Sequence, residues 1–241
     1  MAHEHPVKLQ PDRLILGPVA NRLGIPGLLI GIIALAIAAW LGTGNDQLRS
    51  HFFHSYLFAF CFFMAITLGA QAFVLIHHLT RAGWSVSIRR LAEGLSMNMF
   101  LMVILVLPLL AGTHILFKWF DPNVVHIDTE LREKSGYLNH TFFYIRLALY
   151  FLVWCFLAWF YRNRSLAQDR TGDPRQTVIL EKLACPAIIV FGYALTAFAF
   201  DWIMSLDSHW FSTIFGVYVF AVCMLSCYST LVLLSLTLKK Q

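Results

Sequence analysis

Charge is the scarcest commodity in this sequence. Lys, Arg, Asp and Glu make up 13% of the 241 residues, about half the share found in a soluble domain. So few charges cannot coat a globular surface, which leaves lipid as the solvent for much of the chain. Cysteines are few and carry no motif: Cys61, Cys155, Cys185, Cys223 and Cys227 all lie inside apolar runs. No Cys-x-x-Cys-His for covalent haem and no cysteine cluster for iron–sulfur ligation can be found. No helix shows the paired histidines that a two-haem bundle would use, and no metal site is expected. The short alternating segments of a β-barrel are missing too.

Long hydrophobic runs are what the sequence has instead. Hydrophobic residues make up 59%, and the mean hydropathy is +0.67. A bilayer crossing takes about 20 apolar residues. Six runs qualify, at about 23–41, 52–76, 95–117, 141–161, 184–204 and 210–238. The expected fold is therefore all-α, a polytopic transmembrane bundle of six helices forming one membrane domain over residues 1–241. The first run has no small-residue cleavage site close behind it and reads as a span rather than a removable leader. Asn139-His140-Thr141 matches a glycosylation sequon, a weak signal on its own.

The net charge of +5 reflects topology rather than nucleic-acid binding. Basic residues gather before the first run (Lys8, Arg13, Arg22), after the second (Arg81, Arg89, Arg90), after the fourth (Arg162, Arg164, Arg170, Arg175, Lys182) and at the end (Lys239, Lys240). The opposite loops hold only Arg49, Lys118, Arg132 and Lys134. The positive-inside rule then puts both termini in the cytoplasm. Gly27-x-x-x-Gly31 in the first run, and Thr213, Gly216, Cys223, Cys227 and Thr230 in the last, read as packing seams. The stretch Arg81–Gly94 mixes Trp84, Val86, Ile88 and Leu91 with basic residues, as a short amphipathic segment at a lipid interface would. The acidic loop Lys118–His140 is long enough to dock on a partner subunit.

Ionisable residues at membrane depth are functional candidates by default. Topology puts His51, His54, His114, His140, Arg146, Asp201, Asp207 and His209 near the outer face, from five different helices. Asp201, between Phe200 and Trp202, lies inside the apolar zone. Arg146 lies about 7 Å into the fourth helix. The two could neutralise each other, or an unpaired Asp201 could exchange protons. Thr67, Gln71 and His78 share one face of the second helix, within about 40° of one another. With intervening water they could carry protons, although Val74 interrupts them; interhelical hydrogen bonding is the plainer reading. His54, His114, His140, Asp207 and His209 form an outer polar cluster, and the alternative use of that face is a quinol headgroup site, where an imidazole or carboxylate accepts protons.

Two blocks carry a resemblance. Phe200-Asp-Trp-Ile-Met-Ser-Leu-Asp-Ser-His-Trp-Phe-Ser-Thr-Ile-Phe-Gly-Val-Tyr218 and Trp84-Ser-Val-Ser-Ile-Arg-Arg-Leu-Ala-Glu93 closely resemble the ActF membrane subunits of alternative complex III. That assembly is a bacterial quinol:electron acceptor oxidoreductase whose membrane subunits are of the NrfD/polysulfide-reductase-like class. Ser208 stands where the family pattern usually has proline. Family members have ten helices in two four-helix bundles. The resemblance thus implies that these six helices are the N-terminal part of a longer fold. It implies a subunit with no redox cofactor of its own, contributing structure and proton translocation. Its expected partners are a multihaem cytochrome c, an iron–sulfur protein and a related quinol-binding membrane subunit, which hold the haem c and iron–sulfur clusters, with quinol a possible ligand of the complex. The expected location is the bacterial cytoplasmic (inner) membrane.

Overall fold

In the computed structural model, which describes residues 17–239, the chain is all-helical. Lys8, Arg13 and Lys240 lie outside the described residues. Six helices are long and apolar enough to cross a membrane, over Gly24–Leu41, Asp46–Leu79, Ile88–Ala111, His140–Thr171, Arg175–Leu206 and Phe215–Leu238. The protein is a multi-pass membrane protein with an all-α polytopic architecture. Its chain divides into two compact units, one built on the residues up to Phe52 together with those from Thr237, the other spanning Phe53–Leu236.

The first unit holds helix α1 (Gly17–Leu41) and the first turns of α2 (Asp46–Leu79). From Gly24 onward α1 is apolar on every side, with Leu28, Ile30, Ile33 and Trp40 all exposed. Such a helix is stable only with hydrocarbon around it. The expected seam at Gly27 and Gly31 faces open space. Asn45 opens α2 by accepting the Leu48 N–H through Oδ1 at 2.8 Å, the usual role of an N-cap side chain.

In the second unit, α2 continues to Leu79. Its 34 residues span about 51 Å, more than the hydrocarbon thickness requires. It ends with Arg81 in the left-handed region (φ 51°). The Ala82 N–H reaches the His77 carbonyl and the Arg81 N–H that of His78, the pairing that closes a helix around a left-handed residue. The expected amphipathic segment is helix α3 (Val86–Ser96). Trp84 and Val86 at its start are exposed, while Ala92 and Glu93 are buried. Glu93 accepts from Arg90 at 2.7 Å and from Ser165 at 2.8 Å, and Arg90 reaches on to Asp169.

The third expected span, 95–117, is a helical run interrupted by single turns. Within it α4 (Met99–Leu105), α5 (Leu107–Ala111) and α6 (Thr113–Leu116) follow one another. Pro108 cannot donate a backbone hydrogen bond, and the break at Gly112 lets the Phe53 ring approach where a Cβ would be only 2.2 Å from it. The long loop that follows folds into a 3-10 turn (Lys118–Phe120) and two short helices, α7 (Pro122–Ile127) and α8 (Thr129–Lys134), each capped by an aspartate, Asp121 and Asp128.

Helix α9 (His140–Thr171) runs ten residues past the expected 161. Nothing breaks it before Gly172, which takes the left-handed conformation (φ 66°); its last turns are polar and leave the apolar zone. Helix α10 (Arg175–Phe198) likewise starts nine residues before the expected 184. It passes into a π-helical turn (Ala199–Ile203) and a 3-10 turn (Met204–Leu206). Helix α11 (Phe215–Lys239) begins five residues later than expected, because the Asp207 carboxylate accepts the His209 N–H and holds a turn there. The expected seam on this helix is present at Gly216, Cys223 and Cys227, whereas Thr213 is exposed and precedes the helix. Gly69 of α2 lies so close to α11 that a Cβ would sit 2.0 Å from the Cys223 carbonyl oxygen, and Gly216 abuts Thr196 of α10.

That close approach separates two glycine substitutions. Gly69→Ala forces α2 and α11 apart and should cost about 1–3 kcal/mol or more, whereas Gly27→Ala, with open space around it, should be neutral or slightly stabilising. Thermal unfolding of the two purified variants in one detergent distinguishes them.

Candidate functional site

Two formal charges lie buried in one place. Asp201 is fully buried and Arg146 is 7% exposed. The Arg146 Nε donates to Asp201 Oδ2 at 2.9 Å and Oδ1 at 3.1 Å, and Nη2 donates to Oδ1 at 2.7 Å. Its Nη1 donates to the Tyr137 carbonyl at 2.9 Å. This is the fork geometry that planar guanidinium and carboxylate groups favour. The guanidinium also stacks, with its central carbon 3.8 Å from the Tyr137 ring centroid and 4.3 Å from that of Phe142. The Tyr137 hydroxyl is a further hydrogen-bonding neighbour of the carboxylate. Burial raises the Tyr137 phenol above its ordinary value, and the Asp201 charge adds to the rise.

Each element contributes for a local reason. Arg146 sits on the second turn of α9, which starts where Asn139 Oδ1 accepts the Phe142 N–H at 2.8 Å. Asp201 sits in the π-helical turn, whose wider winding changes the direction of a side chain; such turns recur at functional sites. Ser205 Oγ donates to the Asp201 carbonyl at 2.5 Å, satisfying backbone that the irregular turn leaves over. The next residue, Trp202, donates from Nε1 to the Tyr150 hydroxyl at 2.6 Å. Its ring packs among Phe60, Phe117 and Phe143 at centroid distances of 5.5–6.0 Å. The pair is thus walled by aromatic side chains that exclude water and strengthen its attraction.

Beside the pair lies a cavity of about 360 Å³. Tyr137, Phe200, Met204 and Ser205 line it near the pair, and Glu133, Lys134, Leu138, Asp207, Ser208, Trp210 and Phe211 complete it. Two polar contacts fasten its rim. Lys134 Nζ donates to the Ser208 carbonyl at 2.5 Å, and His209 Nε2 lies 2.8 Å from Asp128 Oδ2. The Leu131 backbone N–H, helped by His209, holds the Asp128 carboxyl below its ordinary range.

The other candidate residues differ in their surroundings. His54, His114 and His140 are exposed, and His140 stacks on the Phe120 ring at 4.2 Å. None of the three lines the cavity, whereas Asp207 does. His209 is drawn to Asp128 and Asp207. On α2, Thr67 Oγ1 donates back to the Phe63 carbonyl of its own helix, and Gln71 Nε2 crosses to the Trp154 carbonyl at 2.9 Å. Val74 and His78 are both buried, with His78 against the Tyr161 ring. Tyr137, Tyr150 and Ser205 belong to the site without having been singled out. Tyr137 had no signal, lying in a loop that nothing ties to α9 until the chain folds. Tyr150 had one, its position four residues after Arg146 and so on the same helix face.

Fold and site together define a class: a multi-pass helical membrane protein with a buried, hydrogen-bonded arginine–aspartate pair between two of its spans. No family model and no curated protein matches the sequence.

A buried pair broken on one side is costlier than a pair removed whole. Arg146→Ala leaves Asp201 uncompensated and should destabilise the protein by about 3–5 kcal/mol, while Arg146→Met with Asp201→Leu should recover most of that loss. A double-mutant cycle on thermal unfolding in nanodiscs checks both expectations.

Proposed function

We propose that this chain is a membrane subunit of a bacterial quinol:electron acceptor oxidoreductase of the alternative complex III type, held in the cytoplasmic membrane with both termini inside. It carries no redox cofactor of its own; haem c and iron–sulfur clusters belong to partner subunits. Its work is to scaffold the complex and to conduct protons. The observation that carries this reading is the Arg146–Asp201 pair, buried in three charge-assisted hydrogen bonds. A membrane protein keeps such charges where a proton or a charged group is handled.

Two further features support it. The block 200–218 that resembles the ActF subunits contains Asp201, Trp202, which donates to Tyr150, and one side of the cavity. The block 84–93 ends on Glu93, buried against Arg90 and Ser165. Along α9, Arg146, Tyr150, Trp154, Tyr161 and Ser165 are all buried, so one face of a single helix carries polar groups from one end of the bundle to the other. Proton exchange at Asp201 requires Arg146 to move during turnover, because the guanidinium occupies both carboxylate oxygens.

A second reading rests on the cavity beside the pair. Its aromatic walls and mixed charges suit a quinol headgroup, and in that case the chain binds substrate for the complex. A quinone-site inhibitor that protects Trp210 or Lys134 from chemical labelling favours this second reading.

Asp201→Asn in the assembled complex keeps the shape of the side chain and removes its charge. The proposal expects fewer protons translocated per electron with assembly preserved. An unchanged proton-to-electron ratio and turnover would take Asp201 out of the mechanism.

A further inference from the structure

Four buried side-chain polar atoms have no hydrogen-bond partner among the described residues, and three belong to neighbouring residues in the core shared by α2, α9 and α10: Gln71 Oε1, Trp154 Nε1 and His78 Nε2. Gln71 and Trp154 are in direct contact through the amide-to-carbonyl hydrogen bond. Two turns along both helices, His78 packs against Tyr161. The helices are therefore parallel and in register, and the two levels are about 10.5 Å apart. Between them lie Val74 on α2 and Ala158 on α9, each 2% exposed. Valine and alanine are small, and neither offers a polar atom to the three groups.

Hydrocarbon offers no partner to a polar atom, and buried polar groups in proteins find one in the protein or in ordered water. The chemistry of the three atoms selects among ligands. An amide oxygen accepts, an indole N–H donates, and an imidazole nitrogen does either according to its tautomer. A metal cation would meet the indole N–H, and an anion the amide oxygen. Only a ligand that both donates and accepts satisfies all three.

We propose that the core between Gln71, Trp154 and His78 binds ordered water through Gln71 Oε1, Trp154 Nε1 and His78 Nε2. This water bridges the apolar step at Val74 and joins the amide of Gln71 to the imidazole of His78. The hydration follows from the unpartnered atoms. Its use as the conducting half of a proton path rests on the function proposed above.

Trp202 provides an internal control. It is as buried as Trp154, both at 0% exposure, but its Nε1 is bonded to Tyr150. X-ray radiolytic footprinting of the full chain in nanodiscs, read by mass spectrometry, generates hydroxyl radicals from bound water. Trp154 should label several-fold faster than Trp202, and Gln71→Leu should lower the Trp154 rate towards that of Trp202. Equal, slow labelling of the two tryptophans overturns the proposal. Should Gln71→Leu not assemble, Ala158→Val adds bulk between the two levels without removing a polar group and should have the same effect; fast labelling that persists in a folded Ala158→Val protein counts against water at this place. Proton translocation by the assembled complex is measured separately. Fast Trp154 labelling, with a proton-to-electron ratio unmoved by Gln71→Leu, upholds the water and overturns only its role in proton transfer.

Discussion

Arg146 and Asp201 meet where water helps neither of them, and the surrounding architecture follows from keeping them together. A charge moved from water into a low-dielectric interior loses several kcal/mol of solvation even after relaxation. Attraction returns that loss only when geometry is good and the remaining donors are filled. The fork contact, the Tyr137 carbonyl and the stacked Tyr137 and Phe142 rings fill them. The π-helical turn, the Ser205 back-bond and the wall around Trp202 all serve to hold one carboxylate in one orientation.

The same rule governs the opposite end of the bundle. Glu93 is buried yet ionisable, and it sits among Arg90, Arg89 and Ser165. This anchor explains why α3 packs on α9 while Trp84 and Val86 at its start remain exposed. Between the two ends, the core is mainly aromatic and aliphatic, and its few polar groups are correspondingly conspicuous. Close packing there depends on glycine where helices touch, at Gly69 and Gly216.

Much of this was legible along the chain. Apolar runs gave six spans because a membrane helix satisfies its own backbone and needs only hydrophobic side chains. The depth of Arg146 and Asp201 followed from counting residues into those runs. The helix ends were less legible: α9 and α10 continue well beyond their apolar stretches, since polar residues propagate a helix as readily as apolar ones until a glycine or proline intervenes. The third span read as continuous because Pro108 and Gly112 are each tolerated in many membrane helices. The outer histidines illustrate a different limit. Equal depth along the membrane normal leaves angle and lateral distance undetermined, and His54, His114 and His140 are exposed without lining the cavity beside the pair.

By itself the sequence determined that the chain is helical, that it crosses a membrane several times, and that two opposite charges lie at comparable depth within it. These are one-dimensional properties, set by composition and by residues per turn. Tertiary structure alone decided that Asp201 is paired rather than free, that Tyr137 closes the pair, and that Gln71, Trp154 and His78 leave three polar atoms without protein partners. Pairing depends on which helix faces which and on how each is rotated, and that is fixed only when side chains from α2, α9 and α10 pack together.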